Sequence, residues 1–149
     1  RIEVVVQPQS IIHSMVGFTD GSIIAQMGLP DMKLPIQYAL YYPDRVPMES
    51  KRLDFPSLAK ITFEAPDLVN FKGLALAYKA IEKGGSMPTV FNAANEWAVA
   101  KFLDEKIGFT EIADRIEQAM DMHKVIEAPC VQDILDTENW VGEYLNKTV

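Results

Sequence analysis

Cysteine and histidine are scarce in this sequence, which contains only Cys130, His13 and His123. One cysteine cannot form a disulfide within the chain. The two histidines lie far apart, without a cysteine or carboxylate cluster near both, and so lack the spacing of protein zinc ligands. These absences exclude a disulfide scaffold, argue against a metal centre built by this chain alone, and fit a reducing, cytoplasmic compartment.

Long apolar runs and clusters of basic residues are also missing. No segment approaches the roughly 18 apolar residues of a membrane-spanning helix. The net charge is -7; residues 1–60 hold six Lys or Arg and six Asp or Glu, whereas residues 61–149 hold eight against fifteen. Clustered Lys and Arg are what binds a phosphate backbone. We therefore expect neither a membrane span nor nucleic-acid binding.

Two catalytic signatures are absent: the glycine-rich phosphate loop and the G-x-S-x-G nucleophile elbow. The chain starts at Arg1 and enters the apolar run Ile2–Val6 directly, without the segments of a secretory signal. We expect it to be cut from a longer protein and to form one domain, or one domain plus a fragment.

Short strand patterns occupy the beginning of the chain. Ile2–Val6 is a β-branched run of the kind a buried strand uses. Pro8 ends it, because proline has no N–H to donate to a ladder. Apolar character resumes from Ile11 to Phe18, and an Asp20-Gly21 turn then leads into residues 23–27, which predicts a β-hairpin.

Prolines dominate the next part of the sequence. Residues 28–35 contain two prolines and indicate a loop, in which a short helix can start at Pro35. Residues 37–66 contain four more prolines and one strand-like piece, Lys60–Glu64. This composition predicts an extended linker.

From residue 67 onward the apolar pattern has a helical period. Four helices are predicted, by Leu74, Tyr78 and Ile81 with a stop at Gly84-Gly85; by Ala94, Ala98 and Phe102; by Ile112, Ile116 and Met120 after an N-cap at Thr110; and by Trp140, Val141, Tyr144 and Leu145 after a cap at Asp136 or Thr137. Amphipathic helices joined by short loops favour a four-helix bundle. The predicted fold class is α+β: a hairpin and strand segment in residues 1–36, an extended linker in 37–66, and the bundle in 67–149.

The stretch Asn92-Ala93-Ala94-Asn95-Glu96 places two amides and a carboxylate close together. In one interpretation Asn92 or Asn95 is a helix N-cap and Glu96 is a first-turn acid that favours the helix dipole. In the other, these side chains tie the helices to another domain.

His13 and the methionines of the first segment receive structural interpretations. His13 lies in an apolar strand and is expected to be a satisfied core histidine rather than a catalytic base. Met15, Met27 and Met32 are expected to fill the core.

Six runs in order, with their spacing, carry a family resemblance: Q-P-Q-S-I-I-H-S-M at 7–15, D-G-S at 20–22, A-Q-M-G at 25–28, P-D-M at 30–32, T-F-E-A-P-D at 62–67 and N-A-A-N-E at 92–96. Together they closely resemble the C-terminal part of the 1-deoxy-D-xylulose 5-phosphate reductoisomerases. The resemblance runs through nearly the whole chain, although the last thirty or so residues match only as a helical pattern. It implies the end of a catalytic α/β domain at 1–36, a linker at 37–66 and a C-terminal helical bundle at 67–149.

The resemblance also implies an activity for the complete protein. The family rearranges 1-deoxy-D-xylulose 5-phosphate with a divalent metal, Mg or Mn, and reduces the product with NADPH to 2-C-methyl-D-erythritol 4-phosphate, in non-mevalonate isoprenoid biosynthesis. Its members are homodimers. The family's nucleotide loop and metal carboxylates lie outside the matching segment, so we assign no catalytic, NADPH-binding or metal-binding residue here and expect this segment to be inactive alone.

Two residues match substrate-facing positions of the family. Met27 corresponds to an apolar side chain against the substrate, and Gln7 stands where the family usually has histidine. Glutamine keeps a donor and an acceptor but cannot become a cation, so we expect Gln7 to lower substrate affinity more than it changes the fold. The alternative function is a stand-alone interaction or regulatory module that keeps the fold without catalysis.

Overall fold

The computed structural model of the protein describes residues 2–148. Arg1, on which the expectation of a longer parent chain rests, and Val149, the last residue of the predicted bundle, lie outside the described residues. The chain divides into two compact units, Arg1–Pro66 and Asp67–Val149, called here the N-terminal unit and the C-terminal unit.

Each unit has its own secondary structure. The N-terminal unit contains β1 (Ile12–Gly17), β2 (Ile23–Met27), α1 (Lys33–Tyr41) and α2 (Phe55–Leu58). The C-terminal unit contains α3 (Lys72–Lys83), α4 (Met87–Leu103), α5 (Glu111–Met122) and α6 (Val131–Asn146). A small antiparallel sheet with helices confirms the predicted α+β class, and the four-helix-bundle arrangement stays a prediction.

The predicted hairpin is present. Strands β1 and β2 pair antiparallel, with Val16 opposite Ile24. The Asp20 carboxylate accepts hydrogen bonds from the backbone N–H of Ser22 at 2.9 Å and from its hydroxyl at 2.6 Å. Gly21 has a φ of 87°, a conformation that glycine adopts without a Cβ penalty. The Asp20-Gly21 pair therefore forms the turn that it predicts, through the Asp20 side-chain hydrogen bonds and the positive φ of Gly21.

The two other predicted strands, Ile2–Val6 and Lys60–Glu64, do not form. They meet only in one antiparallel bridge, in which the N–H of Val6 and the N–H of Glu64 each donate to the other residue's carbonyl at 2.9 Å. The β-branched side chains of the first run are exposed. The prediction of a buried strand is wrong for this chain. A strand requires backbone hydrogen-bond partners along its whole length, and high β-propensity does not supply them.

The linker is less extended than predicted. Helix α1 starts at Lys33, before Pro35, and continues to Tyr41, past the expected boundary at residue 36. Pro35 is accommodated because a residue in the first helical turn needs no intrahelical N–H partner. The short helix α2 adds a further turn at Phe55–Leu58.

The core of the C-terminal unit is centred on α4, which buries Met87, Val90, Ala94 and Ala98 at helical spacing. Ile116 and Met120 of α5, as predicted, and Val141 and Leu145 of α6 complete the cluster, with Leu76 and Ala80 of α3. For α3 the predicted face is rotated: Leu76 and Ala80 are buried, whereas Ile81 is exposed. Both faces have a helical period, and which one is buried depends on where the neighbouring helices lie.

Two predicted helix starts are wrong. Helix α4 begins with Ser86 as its N-cap residue, so Asn92 and Asn95 lie in its interior and cap nothing. The Asn92 amide instead donates to the Glu96 carboxylate at 3.1 Å, an i,i+4 pair on one helix face. Pro88 lies in the first turn of α4, where proline is common, and it marks the start of the helix more reliably than the asparagines do.

Helix α6 begins well before the predicted caps. Its N-cap residue is Cys130, whose backbone N–H donates to the Asp133 carboxylate at 2.8 Å. Thr137 is buried inside the helix, where its hydroxyl donates to the carbonyl of Asp133 at 2.6 Å. Threonine can bond back along a helix as well as cap it, and sequence alone does not separate the two roles.

Candidate functional site

The segment Gln7-Pro8-Gln9-Ser10 is a tight turn organised by the side chain of Gln7. Its Oε1 accepts the backbone N–H of Ile11 at 2.6 Å and that of Ile12 at 3.2 Å. Its Nε2 donates to the Oε1 of Gln9. All of these groups lie in or next to the turn, so the Gln7 amide holds the loop that leads into β1.

Gln9 connects this turn to a distant part of the N-terminal unit. Its Nε2 donates to the Thr62 hydroxyl at 2.8 Å, and its Oε1 accepts the Thr62 backbone N–H at 3.1 Å. The bridge between Val6 and Glu64 lies beside this contact. The turn is therefore held at both ends, and Ser10 keeps a φ of 52°, a conformation that is uncommon outside glycine.

A cavity of about 650 Å³ opens beside the turn and the hairpin. One part of its wall is apolar and includes Leu29, Met32 and Leu34. The other part of the wall is polar. It carries the hydroxyls of Ser10 and Ser14, the amide of Gln26, the imidazole of His13, the carboxylate of Asp31 and the guanidinium of Arg45. Apolar wall surface combined with polar groups that can fix a ligand's orientation is typical of a small-molecule site.

His13 enters this cavity through an irregularity in the sheet. Ile12 pairs with Met27 and Ser14 pairs with Gln26, so His13 is the extra residue of a bulge in β1. Its Nε2 lies 3.1 Å from the Gly28 carbonyl. A carbonyl only accepts, so Nε2 carries a hydrogen there and Nδ1 of the neutral ring keeps its lone pair. The expectation of a core histidine is wrong, because the side chain is exposed.

Arg45 is the cation of the cavity wall. Its guanidinium lies 3.7 Å from the centre of the Tyr38 ring, a cation–π contact that holds the planar group in place. Arginine can present paired N–H donors to a phosphate or carboxylate. Sequence reasoning missed Arg45 because it falls in the proline-rich segment interpreted as a linker, where only its charge and aromatic neighbours could have drawn notice.

The two predicted substrate-facing residues, Gln7 and Met27, do not line this cavity. Gln7 is half-buried within its own turn. Met27 ends β2 opposite Ile12 and is half-buried. Met32 lines the cavity and is exposed. Met15 is also exposed, so neither methionine fills the core as expected from the sequence.

A second cavity, of about 520 Å³, lies in the C-terminal unit. Its walls are mainly apolar and aromatic, with Phe71, Phe91 and Phe109, and Asn95 contributes its amide. At its rim the Lys72 ammonium lies 2.9 Å from Asp114, and this hydrogen bond, with the charges of Asp114 and Glu117, raises the pKa of Lys72. The ion pair joins α3 to α5.

Residues 2–148 provide no group of three or more His, Cys, Asp or Glu side chains placed to hold a metal ion. They also contain no helix long and apolar enough to cross a membrane. The side chains of these described residues therefore do not fit a divalent metal ion. The glycine-rich loop that would cradle a dinucleotide phosphate is absent from the sequence.

Comparison with known proteins gives one consistent result. The family model for the DXP reductoisomerase C-terminal domain matches residues 27–144. The 1-deoxy-D-xylulose 5-phosphate reductoisomerase of Lachnospira eligens is 57% identical over 145 residues, which cover 97% of this chain and 38% of that protein. That of Agathobacter rectalis is 57% identical over 147 residues, which cover 99% of this chain and 39% of that protein.

Solved structures agree. The Zymomonas mobilis 1-deoxy-D-xylulose 5-phosphate reductoisomerase in complex with NADPH superposes with a TM-score of 0.87 at 44% identity, over 98% of this chain and 39% of that chain. A DOX-P reductoisomerase in complex with NADPH, fosmidomycin and magnesium has a TM-score of 0.87 at 37% identity, over 96% of this chain and 37% of that one. This chain thus spans less than two fifths of the length of these relatives. Since the family model covers most of the chain and the whole fold superposes at substantial identity, the protein belongs to the DXP reductoisomerase C-terminal domain family.

Proposed function

We propose that this chain is the C-terminal segment of an NADPH-dependent reductoisomerase that converts 1-deoxy-D-xylulose 5-phosphate to 2-C-methyl-D-erythritol 4-phosphate in isoprenoid biosynthesis. The observation that carries the proposal is the 57% identity, over 97% of the chain, to a protein of that name. In this proposal the N-terminal unit forms one wall of the substrate site and the C-terminal unit supports it.

The cavity of the N-terminal unit supports this role through its chemistry. Hydroxyls of Ser10 and Ser14 and the amide of Gln26 suit the hydroxyl and carbonyl groups of a sugar. The Arg45 guanidinium suits an anionic phosphate. Gln7 and Met27 remain proposed substrate-pocket residues, and for Gln7 the contacts to Ile11 and Ile12 support an effect exerted by holding the loop.

The cofactors are proposed to be held elsewhere in the complete enzyme. Solved relatives carry NADPH and magnesium. The described residues of this chain do not fit a metal ion, so we propose that residues outside it hold both groups and that the segment alone is inactive. The division at residues 36 and 66, the homodimer and the cytoplasmic location are parts of the same proposal.

A chimera tests this function directly. The matching segment of the Zymomonas mobilis enzyme is replaced by this chain, and NADPH oxidation with 1-deoxy-D-xylulose 5-phosphate is measured. We expect turnover by the chimera, and neither turnover nor tight NADPH binding by this chain alone. A folded chimera that binds NADPH but does not turn over, or tight NADPH binding by the 149 residues, would contradict the proposal and favour a module without catalysis.

Arg45 provides a matched pair of variants within that chimera. Arg45→Ala removes the cavity cation, and Arg52→Ala removes an exposed arginine of the same segment. We expect Arg45→Ala to raise KM by about tenfold to a hundredfold, the range of one lost charge-assisted hydrogen bond, and Arg52→Ala to leave it unchanged. Equal KM values for the two variants would remove Arg45 from the proposed site.

A further inference from the structure

One buried polar cluster in the C-terminal unit is used neither by the proposed function nor by the hydrophobic core. Ser86, the N-cap residue of α4, is fully buried. Its hydroxyl accepts the backbone N–H of Ile126 at 2.9 Å and lies 2.7 Å from the Nε2 of His123. Its own backbone N–H donates to the Ile126 carbonyl at 2.9 Å. Three hydrogen bonds thus hold residues 123–126 against the start of α4.

The hydrogen inventory of this cluster assigns the state of the imidazole. A serine hydroxyl has one hydrogen to donate and two lone pairs to accept with. The N–H of Ile126 uses one lone pair, and among the hydrogen bonds of residues 2–148 the acceptor available to the hydroxyl hydrogen is the Nε2 of His123. His123 therefore accepts through Nε2 and carries its hydrogen on Nδ1, as a neutral ring.

Protonation would reverse this contact. A charged imidazole carries hydrogen on both nitrogens, so Nε2 could no longer accept from Ser86. The Ser86 hydroxyl would then be left with a hydrogen and no acceptor in a fully buried position, which is costly. Burial also lowers the pKa of His123, in agreement with a site arranged for the neutral ring.

Aromatic contacts join His123 to α6. The ring lies 5.2 Å from the Trp140 ring, which stacks on Tyr144 at 5.4 Å. The titratable Tyr144 also accepts a hydrogen bond from Gln118 of α5 at 3.4 Å. The charged residues within four positions of Ser86, His123 and Trp140 are Glu82 and Lys83 on α3, Asp121 on α5, Lys124 and Glu127 in the connecting segment, and Asp136, Glu138 and Glu143 on α6. None of these charges contributes to the pKa shift, whose only cause is burial.

We propose that the Ser86–His123 pair is a proton-operated latch, in which neutral His123 closes residues 123–130 onto the start of α4 and protonated His123 releases them. The latch rests on the C-terminal unit alone and does not depend on the proposed enzymatic role. Release would break both hydrogen bonds between Ile126 and Ser86 and expose the Trp140 ring to solvent, while the buried core of α4 stays in place.

Hydrogen exchange on the full 149-residue chain, followed by NMR between about pH 7.5 and 5, tests the latch. The protection factor of the Ile126 amide is expected to fall by about tenfold per pH unit below the pKa of an open-state histidine, because opening is then coupled to uptake of one proton. The Val90 amide, inside α4, reports global unfolding, which exposes His123 and takes up the same proton, so its protection should fall by the same factor but from a higher value. Ile126 protection equal to that of Val90 at each pH, or no loss at Ile126, would overturn the proposal.

Two variants provide the controls. His13→Gln removes the other histidine and should keep the pH response, whereas His123→Gln removes the titrating ring and should make Ile126 protection independent of pH. If His123→Gln does not fold, the imidazole nitrogen shifts of the unaltered chain decide: hydrogen on Nδ1 at pH 7.5 supports the latch, and hydrogen on Nε2 refutes it.

Discussion

The two units of this chain differ in how far they close their own cores. Among the buried hydrophobic residues of the described chain, only Ile11 belongs to the N-terminal unit, and all the others lie in the C-terminal unit. In the N-terminal unit, β-branched residues such as Val5, Val16, Ile23 and Ile24 stay exposed. A two-stranded hairpin is marginally stable by itself, whereas four helices around one apolar cluster can fold independently. The buried core, and with it most of the cooperative stability, therefore lies in the C-terminal unit, whereas the N-terminal unit leaves large apolar side chains exposed.

The largest expected effect comes from Gly85, the glycine at which an added Cβ would meet the nearest atom. A Cβ added there would lie 2.3 Å from the Ile126 carbonyl oxygen, and the φ of 55° is unfavourable for alanine. Gly85→Ala should lower the free energy of unfolding by about 4 kcal/mol, measured by urea denaturation followed at 222 nm. Gly73→Ala, within α3 and with nothing within 4 Å, should be neutral or stabilise by up to about 1 kcal/mol. Similar results for both variants would show that residues 125–127 do not pack against Gly85.

Truncating one apolar side chain in each unit tests whether the two units differ in buried apolar packing. Leu145 is 0% exposed and Ile24 is 64% exposed. Leu145→Ala should cost about 3 kcal/mol through lost burial and a cavity, and Ile24→Ala less than about 0.5 kcal/mol. Thermal and urea unfolding of both variants would measure the difference. Comparable losses would mean that Ile24 is covered in solution, as in an assembly of chains.

A smaller effect is expected at the loop of the N-terminal unit. Gln7→Ala removes the acceptor of the Ile11 and Ile12 amides and should reduce their hydrogen-exchange protection, equivalent to about 1 to 2 kcal/mol. Gln37→Ala, which loses only one exposed contact to the Pro47 carbonyl, is the control. Unchanged protection at Ile11 in Gln7→Ala would show that the turn is held by Gln9 and Thr62 instead.

The smallest effect concerns pH and the start of α6. Hydrogen bonds from the Cys130 side chain and then from its backbone N–H lower the pKa of Asp133 below 3.8. Because the folded pKa is depressed, the stabilisation is present above pH 3.8 and is lost as the pH falls through the folded value. Asp133→Asn should slightly flatten that acid-side dependence of the free energy of unfolding. If the free energy of unfolding of Asp133→Asn depends on pH as it does in the unaltered chain, Asp133 does not cap α6 in solution.

Local chemistry made several elements predictable. The hairpin followed from Asp20-Gly21, whose turn contacts are local, and the stop of α3 followed from Gly84, which has a φ of 65°. The buried stripes of α5 and α6 followed from apolar spacing, since Ile116, Met120, Val141 and Leu145 are all buried. The family also followed from the sequence, because its runs and their order are a property of the chain alone.

The candidate site was less predictable. Sequence comparison pointed to Gln7 and Met27, whereas the cavity of this chain is lined by Ser10, His13 and Arg45 among others. Arg45 lies in a proline-rich segment whose residues show neither helical nor strand periodicity. His13 lines the cavity because it is the extra residue of a β-bulge, and residue propensities do not predict the position of a bulge. The start of α6 at Cys130 was missed because cysteine is an uncommon N-cap residue.

The sequence by itself determined the family, the α+β class, the hairpin and the helical periods, because each of these depends on residue identity at short range. Only the tertiary structure decided which face of α3 is buried, that Ile2–Val6 finds no ladder, and that Ser86 meets His123. These outcomes depend on which distant groups supply hydrogen-bond partners and apolar surface. No local pattern contains that information.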